Sequence, residues 1–200
     1  KKRKELMQKN GKGKQVLLIT DVAGYSKVAL SAMLPVLTHL GYDLYNLPTA
    51  LVSNNFAYGE YAFLDTTDYM RDTIKVWDEL GFDPDCICTG FVLSEEQVEL
   101  IGDYIRSRKP RIGEIQNVNN GRLVMVDPIM ADGGKLYNGI GMERVAAMRK
   151  LVSYSDVMVP NMTEAGFLTG ICPGRERASA AELRELVDGL HKLSGKSVVI

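Results

Sequence analysis

The run Leu123-Val124-Met125-Val126-Asp127-Pro128-Ile129-Met130-Ala131-Asp132-Gly133-Gly134 decides the fold. Its first four residues are apolar without a break, the pattern of a strand buried on both faces, as in a parallel sheet. Pro128 gives the strand a rigid exit and keeps Asp127 extended. Gly133 and Gly134 permit a turn and a close approach to a ligand. Two carboxylates, Asp127 and Asp132, thus stand just past a strand's carboxyl end.

The same alternation extends outward in both directions. Val16–Ile19 is a second unbroken apolar run, ending at Thr20-Asp21. Residues 44–52 read as a strand with an edge or bulge at Pro48. Short strands follow at 85–89 and 156–159, and residues 197–200 begin another. Helical spacing covers residues 27–40, with Pro35 inside, and 67–80, stopped by Gly81. It returns at 94–108, 142–152, from 160–164 onward, and at 180–193. Ser94 is placed to cap its helix, with Gln97 at the reciprocal capping-box position. Residues 111–121 form a polar, Asn- and Gly-rich excursion. Strands alternating with helices imply βαβ units with right-handed crossovers, hence a mostly parallel sheet with helices on both faces. Ligands bind such sheets beyond the carboxyl ends of the strands.

Composition fits this reading and removes others. In 200 residues, 46% hydrophobic and 24% charged, there is neither the polarity of a disordered chain nor an apolar run of about 18–20 residues able to span a membrane. Three cysteines make no disulfide framework, so a reducing, cytoplasmic setting is expected. The net charge of −1 argues against a general nucleic-acid binder. Residues 1–14 carry seven Lys or Arg and one Glu, and read as a basic flexible tail ahead of a domain over 15–200. Cys86-x-Cys88 lacks a second ligand pair; within a strand the two thiols are expected on opposite faces, as buried thiols rather than zinc ligands. His39 and His191 fall on helices far from any motif and read as surface positions, and Trp77 reads as core.

The residues at the strand ends carry the chemistry. Asp21, Asp127, Asp132 and Glu164, with Asn161, would converge at one rim. Crowded carboxylates repel unless a cation lies among them, and Mg²⁺ takes one or two carboxylates plus phosphate oxygens. Helix capping by the same Asp and Asn residues is the competing reading.

Val126-Asp127-Pro128-Ile129-Met130-Ala131-Asp132 resembles the D-P-V-M-G-D segment of pyridoxal kinases. Pro160-Asn161-Met162-Thr163-Glu164-Ala165 resembles their P-N-x-x-E-A segment, and Ile19–Tyr25 resembles the first substrate loop of the pyridoxal/pyridoxamine kinase branch of the ribokinase superfamily. The likeness runs in order through residues 15–200. It implies a ribokinase-like three-layer α/β/α fold. It also implies transfer of the γ-phosphoryl group of ATP to the hydroxymethyl group of a vitamin B6 ring, with Mg²⁺ and in some relatives a monovalent cation. A homodimer is implied, with no nucleic-acid or membrane partner. On the same basis Asp21, Ser53, Asn55 and Phe91 would meet the ring, although Phe91 reads equally well as core. Asp127, Tyr137, Asn161 and Glu164 would meet the nucleotide. Asp132 and Glu164 would serve the metal.

Three departures stand against the resemblance. A segment like S-x-H-T-G is replaced by Ser53-Asn54-Asn55-Phe56-Ala57, which opens the alternative of a hydroxymethylpyrimidine-type ring. Ala131 stands where relatives have Gly. The G-x-G-D segment that holds the family's catalytic Asp at a helix N-terminus occurs nowhere in the 200 residues. No residue up to Ile200 is therefore assigned as catalytic, and the catalytic Asp is expected beyond Ile200. The chain reads as the first two-thirds of such a kinase, inactive alone, or as a non-catalytic ligand-binding relative.

Overall fold

The computed structural model describes residues 14–54, 58–108, 122–194 and 197–200. The tail over 1–13, the excursion over 111–121, and Asn55, Phe56 and Ala57 lie outside them.

The main strands are β1 (Gln15–Ala23), β2 (Asp43–Val52), β3 (Phe63–Asp65), β4 (Cys86–Thr89) and β5 (Leu123–Val126). The short pairs β6 (Ala131–Asp132) and β7 (Lys135–Leu136) follow, then β8 (Val157–Met158) and β9 (Ser197–Val198). Helices α1 (Leu30–His39), α2 (Thr67–Leu80), α3 (Glu95–Ser107), α4 (Met142–Val152), α5 (Met162–Thr169) and α6 (Ala180–Ser194) alternate with them. Seven strands form one sheet in the order β3-β2-β1-β4-β5-β8-β9. Every pairing in it is parallel except β2 with β3. β6 and β7 make a separate antiparallel hairpin. This is the ribokinase-like α/β/α architecture implied by the sequence, with β3 and the hairpin added; both are too short for periodicity to reveal.

The two faces of the sheet are covered unequally. Leu17, Ile19, Ile87, Val124, Val126 and Met158 face a core built with α2 to α6. The opposite face holds Val16, Leu18 and Cys88 under α1, through Leu30, Met33, Leu34 and Leu37. Each fully buried Leu or Ile contributes about 1.5–3 kcal/mol, so most of the stability comes from the five-helix side. Trp77 packs on that core and His39 and His191 are exposed, as expected. No helix among the described residues is long and apolar enough to cross a membrane.

Local signals are kept where they rest on backbone geometry. α2 ends at Gly81 with φ 74°, the left-handed cap that favours glycine. Pro48 sits in β2 beside Thr20, where the β1–β2 register shifts. A strand begins at Ser197 as expected, and the Val199 N–H continues its pairing to Met158 O (3.0 Å). Three expectations are corrected. β1 runs on to Ala23, so Asp21 lies within the strand rather than after it. Ser94 Oγ accepts the Gln97 N–H (3.2 Å), but the Gln97 side chain does not return to the cap. It is fully buried, accepts the Leu93 N–H (2.8 Å) and donates to Thr49 O (2.8 Å) and Thr67 Oγ1 (3.0 Å), tying α3 to β2 and α2. Cys86 and Cys88 share a face, because residues two apart on a strand do; their Sγ atoms are 3.6 Å apart.

Candidate functional site

The carboxyl ends of β1, β4, β5 and β8 form one rim. Gly90 follows β4, and its N–H donates to Ile19 O (2.9 Å). A Cβ at Gly90 would stand 2.6 Å from Thr20 Oγ1, so only glycine allows β1 and the β4 exit to approach this closely. Thr20 Oγ1 also accepts the Phe91 N–H (3.0 Å) and donates to Asp21 Oδ1 (3.2 Å). Asp21 is 8% exposed, and burial pushes its carboxyl above the usual range. Thr89 buries its hydroxyl with no hydrogen-bond partner among the described residues.

The two motif segments dock on each other through α5. Asn161 caps the helix: its Oδ1 accepts the Glu164 N–H (2.9 Å), and Glu164 Oε2 accepts the Asn161 N–H (2.9 Å), a complete capping box. Glu164 Oε1 reaches across to the Met130 N–H (3.1 Å), and Asn161 Nδ2 donates to Ala131 O (2.8 Å). The Gly134 N–H donates to Thr163 Oγ1 (3.0 Å). Gly133 (φ 57°) and Gly134 (φ 79°) both adopt left-handed backbone to make the turn. The capping reading therefore holds for Asn161 and Glu164, whose polar atoms are engaged inside the chain.

Three carboxylates nevertheless meet here. Glu164 is 2% exposed and its pKa is pushed up to about 7, chiefly by burial, with Asp127 adding repulsion. Burial alone raises Asp127 to about 6. The Tyr137 phenol is raised by burial and then by Glu164, Asp132 and Asp127, so all three acids act on one hydroxyl. Asp132 is exposed, with Oδ1 accepting the Gly133 N–H (2.8 Å); Lys135 is also exposed. Among the described residues no group of three or more His, Cys, Asp or Glu side chains is placed to hold a metal ion directly. Both Glu164 oxygens accept backbone N–H groups, so Asp132 is the more open of the two carboxylates expected at the metal. The donor set suits a magnesium ion that keeps its own waters, met by Asp127 and Asp132 beside the Glu164 charge.

A cavity of about 240 Å³ opens next to this cluster, lined by Phe91, Tyr61, Phe63, Tyr137, Ile140 and Arg144 among others. Arg144 donates to Val92 O and Leu93 O and fixes the chain after Phe91; burial lowers its pKa. The cavity is an aromatic slot of the size of a small heteroaromatic ring. Of the residues expected at the ring, Phe91 lines it. Asp21 and Ser53 do not: Ser53 Oγ accepts the Ala62 N–H (2.9 Å) and donates to Asn54 Oδ1 (2.5 Å), stapling the end of β2. Tyr137, expected at the nucleotide, lines the cavity and also stands beside the acidic cluster. Ile200 is no part of the site: its apolar side chain offers no acid or base, and it does not line the cavity. The catalytic Asp expected beyond Ile200 lies outside the described residues. Tyr61, Phe63 and Arg144 escaped the sequence reading; the two aromatics carry a period-2 signal, and Arg144 carries none.

The fold and the motif-bearing rim together define the class, a ribokinase-like small-molecule kinase fold. Comparison with known proteins narrows it. The chain is 29% identical over 168 residues to pyridoxal kinase PdxY of Rubrobacter xylanophilus, covering 80% of this chain and 54% of that protein. It is 27% identical over 172 residues to the pyridoxal kinase of Ovis aries, covering 80% and 50%. A Bacteroides thetaiotaomicron protein assigned as a phosphomethylpyrimidine kinase, crystallised with pyridoxal, superposes with a TM-score of 0.83 at 32% identity, covering 92% of this chain and 60% of that one. Pyridoxal kinase from Lactobacillus plantarum gives 0.80 at 30% identity, covering 94% and 63%. No protein-family model matches the sequence. The chain spans about half the length of the curated relatives it matches. Its resemblance to the pyridoxal kinase family of the ribokinase superfamily, read first from two motifs, holds in both sequence and structure.

Proposed function

We propose that the protein uses ATP to phosphorylate the hydroxymethyl group of a vitamin B6 ring: pyridoxal, pyridoxamine or pyridoxine. The observation that carries this reading is Tyr137, which belongs at once to the aromatic cavity and to the acidic cluster. A ring in the slot would place its substituents beside the carboxylates, where a metal-bound triphosphate would lie. Phosphoryl transfer needs mostly this positioning, plus neutralisation of the phosphate charge. Magnesium, when bound, supplies that neutralisation. Asp127 and Asp132 would meet its water shell, while Glu164 holds the Asp127–Asp132 loop against α5. Arg144 orients the Phe91–Leu93 wall through its two carbonyl contacts. The γ-phosphorus would exchange its bond to the β-phosphate oxygen for one to the hydroxymethyl oxygen, whose proton needs a basic acceptor. The resemblance assigns that role to an Asp in a G-x-G-D segment, which the sequence through Ile200 does not contain. For this chain alone we therefore propose ring binding with weak or absent turnover.

The second reading is a hydroxymethylpyrimidine-type ring. The departure at Ser53–Ala57 favours it, as does the assigned activity of the Bacteroides relative. Calorimetric titration of pyridoxal, pyridoxine and 4-amino-5-hydroxymethyl-2-methylpyrimidine separates the two. B6 binding that weakens in Phe91→Leu supports the first reading, and pyrimidine binding alone supports the second. Absence of saturable binding by either class refutes both.

A further inference from the structure

We infer that Cys86, Cys88 and Met125 form a site for one soft monovalent metal ion of the Cu(I) or Ag(I) type. The site stands apart from the acidic rim, on the α1 face of the sheet. Its two thiols project from β4 with Sγ atoms 3.6 Å apart. Met125 is the register partner of Cys88 on β5, so its side chain leaves the same face, and it packs against the same cluster. Thiolate and thioether donors select soft ions. With a metal–sulfur bond of about 2.3 Å, sulfurs 3.6 Å apart subtend roughly 100° at an ion between them. That bite is too narrow for two-coordinate linear binding and leaves a place for a third donor, which the thioether fills. Thioether is a poor match for zinc, whose sites use thiolate, imidazole and carboxylate.

The surroundings agree. Cys88 is buried, whereas Cys86 and Met125 are half-buried, so an ion can enter from solvent. Either Sγ can donate to the other across the 3.6 Å between them, and Asp85 and Asp156 lend the site a negative potential that suits a cation, which Lys14 opposes. The rival outcome, a disulfide, is disfavoured by the backbone. Strand rise of about 3.3 Å per residue keeps Cα atoms two residues apart near 6.6 Å, at the upper end of the range a disulfide accepts. β4 is paired along its whole length on both sides, to β1 and β5, so it cannot bend to close that distance without breaking ladders. A bridging ion asks for no such movement.

The test is anaerobic titration of the reduced 200-residue chain with Cu(I) against a chromogenic Cu(I) chelator, and with Ag(I) followed by thiol alkylation and peptide mass mapping. One equivalent bound, release of thiol protons and protection of Cys86 and Cys88 but not Cys172 are expected. Cys86→Ser or Cys88→Ser should abolish uptake, and Met125→Leu should weaken it roughly tenfold through loss of one of three soft donors. Cys172→Ser should change nothing. Uptake retained in the Cys86→Ser/Cys88→Ser chain overturns the inference, as does alkylation of both thiols in the wild-type chain at full Ag(I). The mapping on wild-type protein decides the question even if a variant fails to fold.

Discussion

Raising the pH from 5 to 8 should destabilise this protein, and Glu164→Gln should remove much of that loss. Glu164 titrates near 7 in the fold against an ordinary 4.5, and Asp127 near 6 against 3.8. Both hold their protons more tightly folded than unfolded. Between those values the native state binds more protons, so the slope of unfolding free energy against pH is negative. A rise from 4.5 to about 7 corresponds to about 3 kcal/mol for Glu164, complete once the pH passes the folded value. Asp127 adds less than its full shift would give, because it is partly exposed and the two acids titrate as a coupled pair. A net loss of about 2–4 kcal/mol is expected. The glutamine cannot ionise. At pH 5 Glu164 is itself protonated and, like the amide, offers one good acceptor oxygen to the Met130 and Asn161 N–H groups, so the variant should lie within about 1 kcal/mol of the wild type. At pH 8 it should equal or exceed the wild type. Urea unfolding followed by the single tryptophan, Trp77, reads both. The difference between the two proteins isolates Glu164 from every other titrating group. Parallel stability curves from pH 5 to 8 would refute the assignment of a buried, charge-crowded carboxyl.

Other perturbations probe separate parts. Gly90→Ala puts a methyl group within 2.6 Å of Thr20 Oγ1, and the overpacking should cost about 1–3 kcal/mol in unfolding free energy. Gln97→Ala strands the Leu93 N–H and Thr49 O around a fully buried side chain; about 2–4 kcal/mol should be lost with the m-value unchanged. Phe63→Ala alters an exposed residue of the cavity wall: stability should stay within about 0.5 kcal/mol, while ring affinity falls roughly fivefold with loss of an aromatic contact. Unchanged affinity would move the ring elsewhere.

How far the sequence could be read follows from which forces act locally. β5 and α2 match the observed bounds, because an unbroken apolar run and a helix closed by Gly81 are determined within a few residues. The Asp127–Asp132 and Asn161–Glu164 segments were legible as a pair, since each follows a strand in a parallel sheet. Their mutual hydrogen bonds were not, because Glu164 Oε1 reaches Met130, 34 residues earlier in the chain. The cavity was not legible for the same reason: its walls come from β2, β3, the β4 exit and the loop before α4, which only the folded sheet brings together, and of the residues expected at the ring only Phe91 is among them. Nothing in the sequence marked the direction of the Arg144 guanidinium toward Val92 and Leu93.

The close coupling of fold and site has a physical consequence. Glu164 holds two motif segments together by the same oxygens whose charge Asp127 opposes, so the staple is strongest where its repulsion is relieved. Protonation of Glu164 relieves it only at the expense of one acceptor oxygen, whereas a hydrated divalent cation met by Asp127 and Asp132 would relieve it at neutral pH with both acceptors kept. The α5 cap and the loop carrying Tyr137 are then tightened by the occupant of the acidic rim, and Tyr137 carries that tightening into the wall of the aromatic slot. Occupancy of one subsite should therefore raise affinity at the other, with the carboxylates as the coupling element and no movement of the sheet required.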